Sequence, residues 1–579
     1  MVKCKGRNMI NVPNINQSAS NIGTTQPKQE KVPNQTPLNS TSSQTQNYTQ
    51  TIYPEKTTSL WKTKEGSVYN PSTSSNEKTP KTIHTSWFYI NDVHGKMTNM
   101  ERIYNMTEEF DRSNPKEVTN FYKDVPQGDI SKFKVSSGDI ILGANYTHNQ
   151  VANQFLNWSG FIASALGNHE LDIVDPTKMA TLLDNANYKM LAANVDVDKN
   201  SPIYGRIQKS IVVEKDGEKY GLIGIAPSDM NERVKMNNTL KDFKVANVDD
   251  TIKIVQDEVN KLKAQGINKI VVLSHEGIKT DKKLAQQTEG IDIIFGAHTH
   301  DLIEGIKDGE NLFSSKSGEP VVITQAGKDG ENVGILNVDF DEKGVIKKVQ
   351  NNVIKTRAYN RPLFIKDSVE DILGKPEVIG RVKAAVEPPE KRLIENNPHG
   401  NLIADAMRSE LGTDIAILNA GNIRGCFTPG PIDTRLISDI TPFEDHMMIL
   451  GLTEKQIVDS IKVGLKSVTR SSNKPGILLV SGLRYKANKK GELLDLEFTD
   501  KNNQVHKIDV NNPDPNKKYT VAADDFFATG GDGYLESNKN PDFVIQKFDM
   551  DKNKLACDYI KKINQPIEIK DDHRVEFVD

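Results

Sequence analysis

The sequence of residues 85–95, TSWFYINDVHG, joins an apolar run to a short polar segment. The run Thr85–Ile90 is rich in aromatic and β-branched residues, which predicts a buried strand. Asp92 and His94 follow that strand directly, and Gly95 stands beside them. Carboxylate and imidazole groups are metal ligands. The segment therefore predicts a buried strand whose carboxyl end presents candidate metal ligands.

Four further apolar runs end in the same way, and they lie in the segments 134–139, 161–170, 269–277 and 291–300. Stretches with helical periodicity lie between them, and the clearest is Thr251–Gly266, which ends at a glycine. Strands that alternate with helices predict an α/β core. Functional sites in such cores form at the carboxyl ends of the strands. We therefore expect the polar residues of the five runs to converge.

The residues at these five strand ends have the types that bind borderline divalent metals. They are Asp92, His94, Asp139, Asn168, His275, His298 and His300. Any one of these motifs alone is more typical of a hydrogen-bonded structural residue. Together they favour a metal site, and they are too many for one ion. The pattern indicates two metals, with Asp139 as the bridging carboxylate.

Composition limits the other possibilities. A chain of 579 residues exceeds one ordinary domain. Lys and Arg number 74 and Asp and Glu 78, a net charge of -4, which argues against binding to nucleic-acid polymers. The three cysteines, Cys4, Cys426 and Cys557, are far apart, so neither a thiolate metal site nor a disulfide framework is expected. No apolar run is long enough to span a membrane, and no secretory signal is recognisable.

The chain divides into four segments. Residues 1–81 are rich in Asn, Gln, Ser, Thr and Pro, which predicts a disordered polar tail; an adhesive or targeting arm is the alternative. Residues 82–355 contain the α/β pattern. Residues 356–375 are predicted to form a linker with helical character. Residues 376–579 form a second domain, in which Asn401–Met407 predicts a helix and Asp414–Leu418 a strand.

The motifs resemble those of a known family. The order Asp-x-His, Gly-Asp, Gly-Asn-His-Glu, His and Gly-x-His-x-His is similar to that of the calcineurin-like metallophosphoesterases. Residues 419–424 (NAGNIR), 441–443 (TPF) and 526–534 (FFATGGDGY) resemble the C-terminal domain of the 5′-nucleotidase family. The resemblance runs from about Ile83 to the C terminus. It implies an α/β fold in which a four-layer α/β/β/α sandwich is joined by a helical linker to a smaller α+β substrate-binding domain.

The resemblance also implies roles for individual residues. The first of two divalent ions would be held by Asp92, His94, Asp139 and His300, and the second by Asp139, Asn168, His275 and His298. Some members carry Gln or Asn at the position of His300. Zinc, manganese, iron and cobalt are not distinguished. His169 would be the catalytic histidine, oriented by Asp172.

In the second domain, Phe443 and Phe526 would stack on the base. Asn419, Asp525 and Asp532 would hydrogen-bond the base or ribose, and Arg424 would bind phosphate. One segment departs from the family pattern: residues 392–401 (RLIENNPHGN) carry an extra residue, which displaces Arg392. Either Arg392 reaches the phosphate from a shifted loop, or His399 and Asn401 partly replace it.

The implied activity is release of phosphate from nucleotides by attack of a metal-bridged hydroxide, as in nucleotide catabolism, with domain closure completing the site. The alternatives on the same scaffold are hydrolysis of 2′,3′-cyclic nucleotides and of UDP-sugars. Asp172 after the catalytic histidine favours the nucleotidases. A phosphoesterase acting on protein or lipid, or a binding protein without activity, fits the motifs less well. Members are mostly periplasmic or extracellular, but localisation and oligomeric state are left open.

Overall fold

Two large β-sheets form most of the described part of the N-terminal half, and Val195–Val197 pairs with Phe243–Val245 in a small third sheet. The computed structural model describes residues 68–69, 81–113, 120–143, 145–173, 175–230, 239–358, 365–443, 445–535 and 541–578. In spatial order, the strands of the eight-stranded sheet are Val68–Tyr69, Ile346–Lys355, Asn332–Phe340, Ile83–Ile90, Ile130–Ser136, Ala163–Ala165, Lys189–Leu191 and Ile207–Gln208. The strands of the six-stranded sheet are Leu312–Ser314, Pro320–Thr324, Ile293–Phe295, Ile270–Ser274, Glu218–Ile225 and Ser210–Lys215.

The two sheets pack on each other through a buried apolar cluster. Trp87 of one sheet stacks on Phe133 at 4.1 Å between ring centroids and meets Tyr220 and Phe295 of the other sheet edge-on or tilted. Helices cover both outer faces. Met97–Arg112, Tyr146–Trp158 and Pro176–Asp184 pack on the eight-stranded sheet, and Val248–Ala264 and Ile278–Gln287 pack on the six-stranded sheet. The predicted four-layer α/β/β/α arrangement is confirmed.

Parallel pairing brings the predicted strand ends to common edges. Ile83–Ile90 is parallel to Ile130–Ser136, which is parallel to Ala163–Ala165. In the other sheet, Ile270–Ser274 is parallel to Ile293–Phe295. Because parallel strands end at the same edge, the loops after these five strands lie together.

Element bounds differ in detail from the sequence prediction. The helix predicted over Thr251–Gly266 begins at Val248, because the Asn247 side chain accepts a hydrogen bond from the Asp250 amide and caps the first turn. It ends at Ala264, and Gly266 follows with a φ of 80°. Most of the predicted tail 1–81 lies outside the described residues. Within it, Val68–Tyr69 forms a two-residue strand against Val349 and Gln350, so these two residues depart from the prediction of a disordered tail.

The C-terminal half has an α+β fold, as predicted. Its described residues form three sheets. The five-stranded sheet comprises, in spatial order, Leu478–Ser481, Ile415–Asn419, Lys518–Asp524, His446–Thr453 and Val544–Asp551. The four-stranded sheet comprises Val505–Lys507, Leu493–Thr499, Leu483–Asn488 and Val575–Val578, and the three-stranded sheet comprises Gly430–Asp433, Val378–Ala385 and Ile567–Ile569. Its helices are Pro398–Leu411, Thr434–Ile440, Glu454–Leu465, Asp525–Ala528 and Lys552–Ile563.

The helix Lys366–Leu373 lies in the predicted linker, of which residues 359–364 are not described. Among the described residues, none of the helices combines the length and apolar character needed to cross a membrane.

Candidate active site

The loops that carry the candidate metal ligands have an unusual backbone. Five non-glycine residues in them adopt positive φ, between 50° and 73°: Asp92, His94, Asp139, His298 and His300. L-residues adopt this conformation at an energetic cost, and it clusters at functional sites. Backbone hydrogen bonds hold it in place, since the amide of Asp92 donates to Gly138 O and that of His94 to Asp139 O, both at 2.9 Å.

Two carboxylates form the centre of the cluster. Asp139 Oδ2 lies 3.1 Å from His275 Nε2 and 3.6 Å from His94 Nε2. Asp92 Oδ1 lies 3.4 Å from His300 Nε2 and 3.7 Å from His275 Nε2. Asp92, Asp139 and His275 are fully or almost fully buried. The structure thus brings together five of the seven predicted ligands in groups with metal-site spacing.

The remaining two predicted ligands border this cluster. Asn168 Oδ1 is a buried acceptor with no hydrogen-bond partner among the described residues, as expected of an oxygen that faces a cation. The His298 ring lies 5.1 Å from that of His275, and its Nε2 is 3.3 Å from Asp229 Oδ1. The donor set of carboxylate, imidazole and amide oxygen fits divalent cations.

Outer partners orient the histidines. His275 Nδ1 lies 2.7 Å from Ser137 O and His94 Nδ1 lies 2.9 Å from Asp329 Oδ1. Because these oxygens only accept, Nδ1 of each ring is the donor and Nε2 faces the cluster, where it would offer a lone pair to a bound cation. Burial alone would lower the pKa of His275, but the charges of Asp139 and Asp92 raise it to about 10. The cluster therefore attracts positive charge strongly.

The sequence did not identify Glu170 or Asp329. Glu170 accepts from the amides of Asp139, Ile140 and Gly167 at 3.0, 2.8 and 2.8 Å and so fixes the loop of Asp139. The sequence feature that could have identified Glu170 is its position in the motif Gly167-Asn168-His169-Glu170. Asp329 stands in an ordinary loop segment, Lys328-Asp329-Gly330, and gave no local signal.

His169 and Asp172 form the predicted pair. His169 Nδ1 lies 2.7 Å from Asp172 Oδ2, which also accepts from the amide of Gly143 at 2.7 Å. The amide of His169 donates to Asp139 Oδ1 at 2.8 Å. The ring lies 5.4 Å from that of His94, so it borders the cluster and could itself approach a cation.

The C-terminal half brings two arginines to this region. Arg424 Nε donates to Gly421 O at 2.8 Å, and Arg392 donates to the same oxygen at 3.3 Å and to Ile423 O at 3.0 Å. Burial lowers the pKa of Arg424, and the negative charges of Asp172, Asp329 and Asp139 in the N-terminal half act against this effect.

The residues named in the two alternatives for the displaced segment have different hydrogen-bond partners. His399 is buried: its Nε2 bonds to Val386 O and its Nδ1 accepts from the amide of Phe427, both at 3.1 Å. Asn401 bonds to Asn396 and Asp572. Arg392 shares an acceptor with Arg424, the carbonyl oxygen of Gly421.

Of the two predicted base-stacking residues, Phe443 lies in a loop beside Arg424 and Phe526 lies in the short helix Asp525–Ala528. The Arg424 guanidinium is 5.3 Å from the centre of the Phe443 ring. Gly531 lies against the Phe526 ring so closely that a Cβ at Gly531 would stand 2.7 Å from ring carbons. Asp525 is half-buried and adjoins Phe526, and Asp532 has a φ of 54° in the following loop. Asn419 ends a strand and accepts from the Asn422 amide group.

Contacts between the two halves hold these parts together. Lys96 Nζ, two residues after His94, donates to Arg424 O at 3.0 Å and to Asp439 O at 2.6 Å. Arg435 forms an ion pair of 3.2 Å with the buried carboxylate of Glu101. A Cβ at Gly143 would stand 2.3 Å from Pro442 O, so the loop of Asp139 abuts the loop of Phe443. The sequence did not point to Lys96, Glu101 or Arg435.

Comparison with known proteins identifies both halves. The model of the calcineurin-like phosphoesterases matches residues 88–302, and that of the 5′-nucleotidase C-terminal domain matches residues 378–537. The 5′-nucleotidase of Diplobatis ommata is 29% identical over 437 residues, which cover 67% of this chain and 72% of that protein.

Two further proteins are similar over most of the chain. The trifunctional nucleotide phosphoesterase protein YfkN of Bacillus subtilis (strain 168) is 27% identical over 506 residues, 77% of this chain, but this chain spans only 32% of that protein's length. The crystal structure of the 5′-nucleotidase precursor from Thermus thermophilus has the same fold, with a TM-score of 0.66, 24% identity, and coverage of 86% of this chain and 99% of that chain. The chain belongs to the 5′-nucleotidase family of metal-dependent phosphoric ester hydrolases.

Proposed function

We propose that this protein releases phosphate from nucleoside 5′-monophosphates, using two divalent cations. One observation supports this most strongly. The buried cluster around Asp92 and Asp139 in one half is joined to the segment of Arg424 in the other half by Lys96, which follows His94 by two residues and donates to Arg424 O at 3.0 Å. A site that joins cation ligands to a phosphate-binding side chain suits a phosphoester. The nearby rings of Phe443 and Phe526 suit a base.

The residues divide into two metal sites. Asp92, His94 and His300 would hold one cation and Asn168, His275 and His298 the other, with Asp139 between them. When bound, the two cations would lower the pKa of a shared water and neutralise charge on the phosphoryl oxygens. The buried Asn168 Oδ1, which has no hydrogen-bond partner in the part of the chain that the structure describes, supports this assignment.

His169 would act on the leaving group of the reaction. Asp172 fixes its ring through Nδ1, so the opposite nitrogen is available at the cluster. We propose that this nitrogen stabilises charge on the departing ester oxygen or donates a proton to it. No covalent intermediate with the protein is needed for this step.

The C-terminal half would select the substrate. Arg392 and Arg424 bind the phosphate oxygens, and Phe443 and Phe526 stack on the two faces of the base. Asn419, Asp525 and Asp532 bond to its edge or to the ribose. Stacking is tolerant of base identity, because every base has a π face, so several nucleotides are expected to be substrates.

A phosphate-release panel tests the proposal. The substrates are AMP, UMP, ATP, UDP-glucose, a 2′,3′-cyclic nucleotide and an aryl phosphate, each with and without a chelator. The proposal expects chelator-sensitive release, with kcat/KM for AMP and UMP well above that for the aryl phosphate. Equal kcat/KM values for AMP and the aryl phosphate would remove the role of the C-terminal half in base recognition. Preference for the cyclic nucleotide or UDP-glucose would assign the site to one of the sister activities.

A further inference from the structure

A fully buried lysine, Lys552, lies beneath the loops of the C-terminal half that carry the proposed nucleoside contacts. It is 0% exposed, at the start of the helix Lys552–Ile563. Its ammonium donates to Phe443 O at 3.0 Å and to Asp445 Oδ2 at 2.8 Å, and it lies 3.7 Å from Asp524 Oδ2. The next residue, Asn553, bonds to Thr441. The start of this helix therefore fixes the loop around Phe443.

The same ammonium connects to the other two loops through Asp524. Asp524 Oδ2 accepts from the side-chain amide of Asn422 at 3.0 Å, and that amide also donates to Asn419 Oδ1. Asp524 Oδ1 accepts from the amide of Phe527 at 2.9 Å and caps the short helix Asp525–Ala528. That helix carries Phe526. One buried cation thus links the loops of Asn419, Phe443 and Phe526.

This arrangement is a costly way to fill a core position. Lysine is almost never fully buried unless it is paired. The desolvation of a buried ion pair offsets most of its Coulombic gain, so an apolar side chain of similar size would stabilise the fold as well. An apolar side chain could not, however, hold a main-chain carbonyl and two carboxylates in fixed positions.

We propose that Lys552 is a positioning residue for base recognition, which sets the spacing between the Phe443 and Phe526 loops through its contacts to Phe443 O, Asp445 and Asp524. The inference rests on the proposed nucleotidase function. It assigns Lys552 no contact with substrate. Loss of the ammonium would let the two stacking loops move apart, while the metal cluster in the other half would keep its geometry.

The test compares Lys552→Met with a matched control, Lys269→Met. Lys269 is also buried and paired, with Glu218 at 2.9 Å, but it lies in the N-terminal half away from these loops. Steady-state kinetics are measured on AMP and on an aryl phosphate, which has no nucleobase. We expect Lys552→Met to raise KM for AMP about tenfold, a loss of ~1.4 kcal/mol of binding. Its kinetics on the aryl phosphate should match those of the wild type, and Lys269→Met should leave both substrates unchanged.

A second variant covers the case in which Lys552→Met fails to fold because Asp445 loses its partner. Lys552→Met/Asp445→Asn removes one of the two carboxylate charges that the lost ammonium would strand, the other being that of Asp524, and should show the same selective rise in KM. An unchanged KM for AMP in the folded variants would overturn the inference. An equal loss on AMP and aryl phosphate would overturn it as well, because it would indicate a general structural role. Hydrolysis of the aryl phosphate but not of AMP by the wild type would refute the proposed function itself, independently of the result for Lys552.

Discussion

Arg392 and Arg424 donate to a single carbonyl oxygen, that of Gly421, at 3.3 and 2.8 Å. Burial lowers the pKa of Arg392 to about 9, and the charge of Arg424 acts in the same direction. Two guanidinium groups held this close repel each other. A phosphate dianion between them would relieve that repulsion, so the pair is suited to be a phosphate clamp.

Replacing Arg392 therefore tests the clamp. Hydrogen bonds to charged groups contribute roughly 1.5–3 kcal/mol, so Arg392→Met should lower kcat/KM for AMP about 10- to 100-fold. Inhibition by inorganic phosphate should weaken in parallel. Asn401→Ala is the control, since Asn401 bonds to Asn396 and Asp572 instead. Weaker phosphate inhibition in Asn401→Ala than in Arg392→Met would favour the alternative clamp.

Asp329 should matter for metal affinity. Its carboxylate holds His94 Nδ1 at 2.9 Å, and loss of such outer partners typically weakens metal binding about 10- to 100-fold. We expect Asp329→Ala to lose its metals at a correspondingly lower chelator concentration, measured by metal analysis after dialysis. Asp371→Ala, an exposed position, serves as control. Metal retention equal to that of the control would show that Asp329 does not support His94.

Lys96 should couple the two halves. Its ammonium holds Arg424 O and Asp439 O, so Lys96→Met should free the segment that carries Arg424. We expect kcat/KM to fall roughly tenfold for AMP and aryl phosphate alike, since both need the phosphate clamp.

Lys132→Met provides the matched control for Lys96→Met. Lys132 also donates to main-chain carbonyls, those of Phe110 and Ser113, but both lie in the N-terminal half. Its loss should leave kcat/KM unchanged. The coupling role of Lys96 would be refuted by equal kinetic effects of the two substitutions.

The buried carboxyl group of Asp292 should make the free energy of unfolding of the protein depend on pH. It is 6% exposed, and burial raises its pKa well above the ordinary 3.8. A carboxyl with a raised pKa contributes stability below its unfolded pKa and loses it as pH rises through the folded pKa. Asp292→Asn removes the buried charge and can still accept from the amide of Ile270.

Asp292→Asn should therefore have a larger free energy of unfolding than the wild type near pH 8, because the wild type must bury a charged carboxylate there and the variant does not. The difference should shrink as pH falls toward the unfolded pKa of Asp292. Chemical denaturation across this range measures it, with Asp371→Asn as the exposed control. A difference that stays constant with pH would contradict the assignment of the stabilisation to the Asp292 charge.

The convergence of the candidate metal ligands could be predicted because each of them follows a strand. Asp92, Asp139 and Asn168 come after three strands that pair in parallel, so one structural rule places them together. The alternation of strands and helices predicted an α/β core, and the four-layer arrangement was implied by the family resemblance. The proposed site therefore depends mainly on local patterns.

The supporting residues could not be predicted, because their roles arise only in three dimensions. Asp329 meets His94 across 235 positions of the chain, and Lys552 meets Asp445 across 107. Neither stands in a distinctive motif. The position of Arg392 depended on the turn before the helix Pro398–Leu411, where Asn397 caps the first turn. An extra residue in that turn did not move the guanidinium away from Arg424.

The proposed release of phosphate from nucleotides depends on a site that needs two cations. The most direct test follows AMP hydrolysis while metal-depleted protein is titrated with a divalent cation, with bound metal per chain measured at each point. We expect no activity without metal and full activity only when two ions are bound per chain. Asp139→Asn should neither bind two ions nor reach full activity. Full activity with one ion or none, or in Asp139→Asn, would contradict the proposal.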